Sequence, residues 1–254
     1  KDNSPVWKNV PTTSEIDQAL ILSAREKIEK EPNYSYASAR ILLNCLYKEV
    51  FKEGVDSDFF KLQYRKSFVQ NIKKLVKLKR LNPKLLDFDL NKLSEAISIR
   101  RDHSFKYLGI QVLHDRYLIR DNNRIMEAPQ SFWMRVAMGL AINEKDKDNK
   151  AVEFYNLMSQ MQYTPSTPTL FNSGTIRSQL SSCYLNTFDD SIDGIFDGAW
   201  QEARKSKFAG GLGLDVTPFR STGSHIQGTN GISSGLVPWL KIYNDLLVAV
   251  NQGG

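Results

Sequence analysis

The sequence predicts an α/β protein in which a helical N-terminal domain precedes the first part of a larger α/β domain. Apolar residues recur at helical spacing up to about residue 160. After Tyr163, short apolar strands alternate with helical runs and with turns rich in Gly, Ser and Thr, a pattern typical of an α/β sheet or barrel. A complete α/β barrel needs roughly 250 residues, far more than follow Tyr163. We therefore expect domains at 1–160 and 161–254, the second incomplete.

The first domain is predicted helix by helix. Ser14, with Asp17 three residues later, is typical of a helix N-cap. Ala37–Phe51 has an apolar stripe that includes Cys45, which we expect to be buried. Further helices are expected over Leu90–Ile99, Ser104–Leu118, Gln130–Ile142 (with Pro129 near its first turn) and Val152–Met161, with turns at Arg120–Arg124 and Lys145–Lys150.

In the second domain, Asp189-Asp-Ser191 is typical of a helix start. The glycines of Ala209–Leu214 do not fit a dinucleotide-binding fingerprint, because the third glycine is missing and a strand follows. They indicate a close approach of the backbone to another backbone or to a ligand. Strands are expected at Ser182–Leu185 and Gly213–Val216, helices at Ile192–Lys207 and Leu236–Val250, and a surface loop at Gly223–Gly235.

The net charge of +6 is concentrated in Lys61–Lys84. Phe68, Ile72, Leu75, Val76 and Leu78 form an apolar stripe there, so a solvated face of an amphipathic helix is the favoured interpretation. A polyphosphate or nucleic-acid surface is the alternative, but no aromatic residues are interleaved to stack on bases.

Composition excludes several classes of protein. Two cysteines are too few for a secreted disulfide framework, and three scattered histidines have no metal-ligand spacing, so we expect no metal site. No run of eighteen apolar residues and no signal segment is present. We expect a cytoplasmic protein without membrane or nucleic-acid partners, excised from something longer.

Thr164–Leu185 is the most informative segment, because a single cysteine, Cys183, follows a run rich in Thr, Ser, Asn and Gly. A thiol beside neutral hydrogen-bond donors suggests chemistry on a small hydroxylated substrate. A hydrolase triad is unattractive, because no cysteine-protease motif surrounds Cys183 and the nearest histidine, His225, lies in a glycine-rich loop. Taken alone, a cysteine in a strand is more often a core residue.

The order of the motifs resembles the large catalytic subunit of class I ribonucleotide reductases, over roughly residues 17–254. The motifs are Thr167–Gly174 (TPTLFNSG), Gln179–Cys183 (QLSSC), Asp189–Ile192 (DDSI), Ala209–Leu214 (AGGLGL), Phe219–Ser224 (FRSTGS), Gly228–Gly231 (GTNG), Gly235–Pro238 (GLVP) and Asn251–Gly254 (NQGG). The resemblance implies the first part of a ten-stranded barrel and reduction of ribonucleotides to 2′-deoxyribonucleotides by radical chemistry.

The resemblance also implies roles for individual residues. Cys183 matches one half of the redox dithiol, which should lie in a sheltered pocket to which Thr167, Asn172, Ser181 and Ser182 contribute. Thr167, Ser182 and Gly211 match substrate-binding positions. The matches to a deoxynucleotide effector site are Asp190, Ser191, Ile192, Lys207, Arg220, Gln227 and Gly228. Gln227 stands where some bacterial relatives have arginine, so a side-chain ion pair is in doubt there.

The resemblance implies four partners. Two are a small metal-containing subunit, which supplies the radical, and the reductant thioredoxin or glutaredoxin. The others are a second copy in a homodimer and the C-terminal half of the large subunit, which could be a separate chain. The chain itself binds no cofactor directly in this scheme, and dNTP or ATP act as allosteric effectors. The thiyl-radical and resolving cysteines are expected beyond Gly254, so this piece should be inactive alone. A cobalamin-dependent relative fits less well. A non-catalytic nucleotide-binding or dimerisation scaffold remains the alternative.

Overall fold

The computed structural model describes residues 11–51, 59–207 and 210–250. The chain divides into two compact units: Lys1–Thr164 with Ser173–Arg177, and Pro165–Asn172 with Ser178–Gly254. Among the described residues, no helix has the length and apolarity needed to cross a membrane. The predicted signal-free N-terminus and the Asn251–Gly254 motif lie outside the described residues.

Helix α1 (Thr13–Arg25) begins with a capping box that differs from the one predicted. The Thr12 hydroxyl accepts a hydrogen bond from the Glu15 N–H, and the Glu15 carboxylate accepts one from the Thr12 N–H at 2.7 Å. The prediction of Ser14 as the cap was therefore wrong. Glu15 follows Thr12 by three residues, and their two side chains accept hydrogen bonds from the N–H groups of both residues.

Long helices α2 (Tyr34–Phe51) and α3 (Phe60–Lys77) confirm the two strongest helical patterns. On α3, Tyr64, Phe68, Ile72 and Leu75 are buried, whereas Leu78 is 43% exposed and lies just past the helix end. Cys45 is half buried rather than buried, and burial, with Asp17 next in effect, raises the pKa of its thiol to about 11.

The rest of the helical unit is built around α6 (Pro129–Ala141), which is buried on nearly every side and begins with proline as predicted. The turn predicted at Lys145–Lys150 is wrong from Lys147 onwards, because α7 (Lys147–Ser159) begins at that residue. The helix predicted over Leu90–Ile99 is shorter than expected, since α4 ends at Ala96 (Leu90–Ala96). The remaining elements are a 3-10 helix at Pro83–Asp87, another at Ile99–Ser104, α5 (Tyr107–Val112) and a short π-helix at Leu113–Tyr117.

The predicted turn at Arg120–Arg124 is the tip of a hairpin. Strands β1 (Arg120–Asp121) and β2 (Arg124–Ile125) are antiparallel, and Asn122 and Asn123 between them have φ of 47° and 65°. Asparagine tolerates this left-handed conformation, and two such residues are what a tight type I′ hairpin requires.

The second unit contains the predicted alternation of strand and helix. Strands β3 (Cys183–Thr187) and β4 (Gly211–Asp215) are parallel neighbours, and β5 (His225–Ile226) and β6 (Gly231–Ile232) form a small hairpin within the predicted loop. No closed barrel is present among the described residues, consistent with the beginning of one. The helices of this unit are α8 (Thr167–Asn172), α9 (Ile192–Ser206) and α10 (Val237–Ala249).

Candidate functional site

The two faces of β3 have different surroundings. Asn186 donates a hydrogen bond to the buried carboxylate of Glu202 on α9, and Lys205 lies over the ring of Tyr184. Because side chains alternate along a strand, Cys183, Leu185 and Thr187 share the opposite face. Leu185 is 87% exposed there. The described residues therefore leave the face that carries Cys183 uncovered.

Cys183 lies directly opposite Gly211 in the β3–β4 pairing. The Gly211 N–H donates to the carbonyl oxygen of Ser182 at 2.5 Å, and the Ser182 hydroxyl lies 3.6 Å from the Cys183 sulfur. The structure thus brings three predicted site residues together. The thiol is exposed, however, so the described residues do not form the sheltered pocket that the resemblance implies.

The segment that leads into β3 is held by α8. The Thr169 hydroxyl donates to the carbonyl oxygen of Leu180 at 3.0 Å, and the Asn172 amide donates to that of Gln179 at 2.8 Å. Thr167 begins this short helix and is half buried. The Asn172 amide therefore helps to hold the Cys183 segment in place.

A second group of predicted residues surrounds a cavity of about 150 Å³ at the N-terminus of α9. The Arg220 Nε donates to the Asp190 carboxylate at 2.6 Å, and its Nη2 donates to the Asp190 carbonyl oxygen at 3.0 Å. Ser191 caps α9 by accepting from the Gly194 N–H at 3.0 Å. The helix N-terminus and the guanidinium both favour an anion at this cavity. It is lined by Asp190, Ser191, Ile192, Ile195, Phe219, Arg220, Ile226, Ser233, Gly235 and Trp239.

The other predicted effector residues do not line this cavity, although Gln227 directly follows Ile226, which does. Lys207 follows the last residue of α9, about 24 Å from Ser191 at the helical rise of 1.5 Å per residue. Gln227 and Gly228 are exposed in the turn between β5 and β6. The structure therefore gathers four of the seven predicted effector residues.

Sequence reasoning missed two aromatic residues of the cavity, Phe219 and Trp239. Trp239 contacts Phe196 edge to face, with ring centroids 6.0 Å apart. The sequence does indicate where Trp239 lies, because Pro238 is typical of the first turn of a helix and Trp239 follows it directly.

The cavity rests on a rigid apolar cluster. The rings of Phe188 and Tyr243 stack 5.8 Å apart, and the Tyr243 hydroxyl donates to the carbonyl oxygen of Ile195 at 2.7 Å. Burial raises the pKa of Tyr243 to about 12. At Gly198 on α9, an added Cβ would lie 2.6 Å from the Phe188 ring, so only glycine allows this close packing. Strand β3 and helices α9 and α10 are therefore fixed relative to one another.

Comparison with protein families gives two matches in chain order. Residues 103–178 match the all-alpha domain of ribonucleotide reductase, and residues 181–254 match the ribonucleotide reductase barrel domain. Together these matches cover more than half of the chain.

Comparison with individual proteins agrees. The chain is 49% identical over 242 residues to the ribonucleoside-diphosphate reductase subunit alpha of Chlamydia muridarum, which covers 95% of this chain and 23% of that protein. It is 42% identical over 246 residues to subunit alpha of Helicobacter pylori strain 26695 (96% and 30%), and 40% identical over 249 residues to the large subunit of vaccinia virus (97% and 31%). The chain thus spans a quarter to a third of these relatives.

The two adjacent domains and the near-complete alignment of this chain with all three proteins lead to one conclusion: the chain belongs to the ribonucleotide reductase large-subunit family.

Proposed function

We propose that this chain is the N-terminal part of a ribonucleoside-diphosphate reductase large subunit, which reduces ribonucleotides to 2′-deoxyribonucleotides. The observation that carries the proposal is the pairing of Cys183 with Gly211 on the uncovered face of two parallel strands. In a ten-stranded barrel this face would be the interior, and the remaining strands would supply the shelter that this chain lacks.

In the proposed reaction, Cys183 is one of two thiols that reduce the ribose. The 2′-hydroxyl leaves as water, a hydrogen replaces it on C2′, and the two thiols are oxidised to a disulfide. Thioredoxin or glutaredoxin would then reduce the disulfide by thiol–disulfide exchange. Cys45 lies in the helical unit, so the second thiol is proposed to come from the C-terminal half. That half, the small radical-generating subunit and a second copy of the chain are the proposed partners.

Substrate would be held by neutral groups beside the thiol. Ser182 presents its hydroxyl 3.6 Å from the sulfur, and the Gly211 backbone lets a ligand approach closely because it has no side chain. Thr167 begins the helix that holds the Cys183 segment, and we assign it to the same substrate site.

The cavity at the N-terminus of α9 is proposed as a site for a dNTP or ATP effector. Arg220 and the helix N-terminus would contact phosphate, while Ser191 and Ile192 would contact the nucleoside. Asp190 orients Arg220 through two hydrogen bonds. Lys207, Gln227 and Gly228 are proposed to contact effector in the assembled protein, where a second copy can bring distant residues together.

The test is reductase activity of the complete large subunit, assayed with its small subunit and a dithiol reductant. Cys183→Ser should abolish reduction, whereas the matched variant Cys45→Ser should retain it. Loss of activity in both variants, or in neither, would contradict the role of Cys183.

A non-catalytic scaffold for nucleotide binding or dimerisation is the second candidate. It is favoured by exposed apolar side chains on α9 and α10, including Phe196, Trp200 and Val248, which are 54%, 58% and 78% exposed. Sedimentation of the chain with a deoxynucleoside triphosphate tests it. Ligand-dependent dimerisation, together with no reductase activity of the unmodified complete subunit, would favour the scaffold over the enzyme.

A further inference from the structure

A cavity of about 340 Å³ lies in the helical unit, between α3 and the residues of β2. Three cationic side chains line it: Lys66 and Lys74 from α3, and Arg124 from β2. None of the described residues that line the cavity is a carboxylate. Positive charge and concave shape therefore coincide on one part of the basic segment that the sequence analysis assigned to a solvated helix face.

Hydrogen bonds fix the walls of this cavity. The Asn71 amide donates to the Met126 carbonyl oxygen at 2.6 Å and to the Ser67 hydroxyl at 3.1 Å, which ties α3 to the residue after β2. The Arg124 Nε and Nη2 donate to the Glu49 carbonyl oxygen at 3.3 and 3.2 Å. The position of the Arg124 guanidinium is thus set by the backbone of α2, not by solvent.

Several donors around the cavity have no acceptor within the described part of the chain. Lys66 and Gln70 make neither a hydrogen bond nor an ion pair there, and the Arg124 Nη1 is likewise unused. Lys74 lies 3.6 Å from the Asp121 carboxylate. Among the described residues, Glu49 directly precedes the cavity-lining Val50, and its carboxylate accepts the Ile125 N–H at 2.6 Å.

We infer that this cavity binds a small phosphorylated ligand, with phosphate oxygens between Lys66 and Arg124. Phosphate offers acceptors in several directions, and a guanidinium with a fixed orientation meets them with little loss of conformational freedom. Gln70 would donate a further hydrogen bond, and Lys74 would add long-range attraction. A nucleic-acid strand fits less well, since α3 exposes no row of aromatic side chains for base stacking.

The experiment uses the whole chain and inorganic tripolyphosphate, with hydrogen exchange measured by mass spectrometry. We expect tripolyphosphate to slow exchange in peptides covering 60–77 and 120–126. Lys66→Glu should weaken binding at least about tenfold, because one charge-assisted contact is replaced by repulsion. The matched variant Lys73→Glu changes charge equally on the same helix, at an exposed residue that does not line the cavity, and should bind within about twofold of the unmodified chain.

Equal weakening by both substitutions would overturn the inference, because it would show attraction to the net charge of α3 alone. Protection confined to the region around Arg220 would overturn it as well, since tripolyphosphate would then occupy only the cavity at α9. If Lys66→Glu fails to fold, Lys66→Gln and Lys73→Gln provide the same comparison with a smaller perturbation. A third outcome would indicate a nucleic-acid surface instead. In that case a DNA oligonucleotide would bind with steep salt dependence and protect all of α3, whereas tripolyphosphate would protect nothing.

Discussion

Gly211 faces Cys183 across the parallel pair of β3 and β4, and only a glycine fits that position without displacing its neighbour. A Cβ at residue 211 would lie 3.0 Å from the Ser182 carbonyl oxygen and 3.9 Å from the Cys183 sulfur. The first distance is tighter than most real Cβ contacts, so the Ser182 backbone would have to shift. Since Ser182 precedes the thiol directly, that shift would reach the sulfur.

Gly211→Ala is expected to reduce kcat/KM of the complete reductase about tenfold or more, because small displacements of a reacting group are costly in rate. The free energy of unfolding should fall by about 1 kcal/mol, the lower end of the cost of overpacking. Steady-state assays and urea unfolding measure the two effects.

Gly109→Ala is the matched control for this substitution. A Cβ at Gly109 would meet only the Phe105 ring, at an ordinary 3.4 Å, and alanine favours the helix in which it lies. Unchanged activity is expected. An unchanged kcat/KM in Gly211→Ala would show that the space beside Cys183 is not needed.

Arg220→Lys is expected to raise the Kd for a deoxynucleoside triphosphate about tenfold, as measured by calorimetry. Lysine keeps the charge but cannot make both hydrogen bonds to Asp190, so the cation loses its fixed direction. Arg177→Lys, at an exposed arginine, should leave the Kd unchanged. Equal affinity in all three proteins would remove Arg220 from the effector site.

The sequence predicted the long helices well because burial and periodicity act locally. The apolar stripe predicted on α3 includes Phe68, Ile72 and Leu75, and all three are buried. The strand pair β3–β4 was also predictable in position, although its parallel register was not, because register depends on contacts between segments 28 residues apart.

The candidate site was less predictable from residues alone. The motifs in the sequence indicate that Asp190 and Arg220 both belong to the predicted effector site. They do not indicate that Arg220 donates hydrogen bonds to both the carboxylate and the carbonyl oxygen of Asp190. The buried network around Asp102 had no local signal at all. Its members come from five separate helical elements, and only tertiary packing brings them together: Tyr47, Tyr64, Asp102, Gln130 and Tyr155.

Asp102 is fully buried and has no cationic partner among the residues that the structure describes. Its carboxylate accepts from the Tyr47 hydroxyl at 2.6 Å, the Tyr64 hydroxyl at 3.1 Å and the Gln130 amide at 2.7 Å. Desolvation raises its pKa from 3.8 to about 6, against the opposing effect of these hydrogen bonds. A raised pKa in the folded state means that protonation stabilises the fold. This contribution is complete below pH 3.8 and is lost as pH rises through about 6.

We therefore expect Asp102 to add about 2 kcal/mol to the free energy of unfolding as pH falls from 7 to 4.5. Asp102→Asn should remove this increment, so its unfolding free energy should change less over that range than that of the unmodified chain. Asp87→Asn, at an exposed carboxylate, should retain the increment. Urea unfolding at both pH values measures it, and identical pH profiles for Asp102→Asn and the unmodified chain would contradict the assignment.

Glu127 and Arg135 form a buried ion pair whose removal should be the most destabilising change of those considered. The Arg135 Nε and Nη2 each donate to a Glu127 oxygen at 2.9 Å, and Nη1 donates to the Ser173 carbonyl oxygen at 2.7 Å. Arg135 is fully buried and Glu127 is 4% exposed, so Glu127→Gln leaves a guanidinium charge without its counterion. We expect a loss of about 3–5 kcal/mol in the free energy of unfolding.

The control for this loss is Glu153→Gln, which breaks a solvent-exposed pair with Lys150 of similar length, 2.8 Å. Water and salt screen that pair, so its removal should leave the free energy of unfolding almost unchanged. Urea unfolding of both variants at neutral pH compares them directly. A loss of under about 1 kcal/mol in Glu127→Gln would mean that Arg135 finds another acceptor or that water enters, and the helical unit would then not depend on this pair.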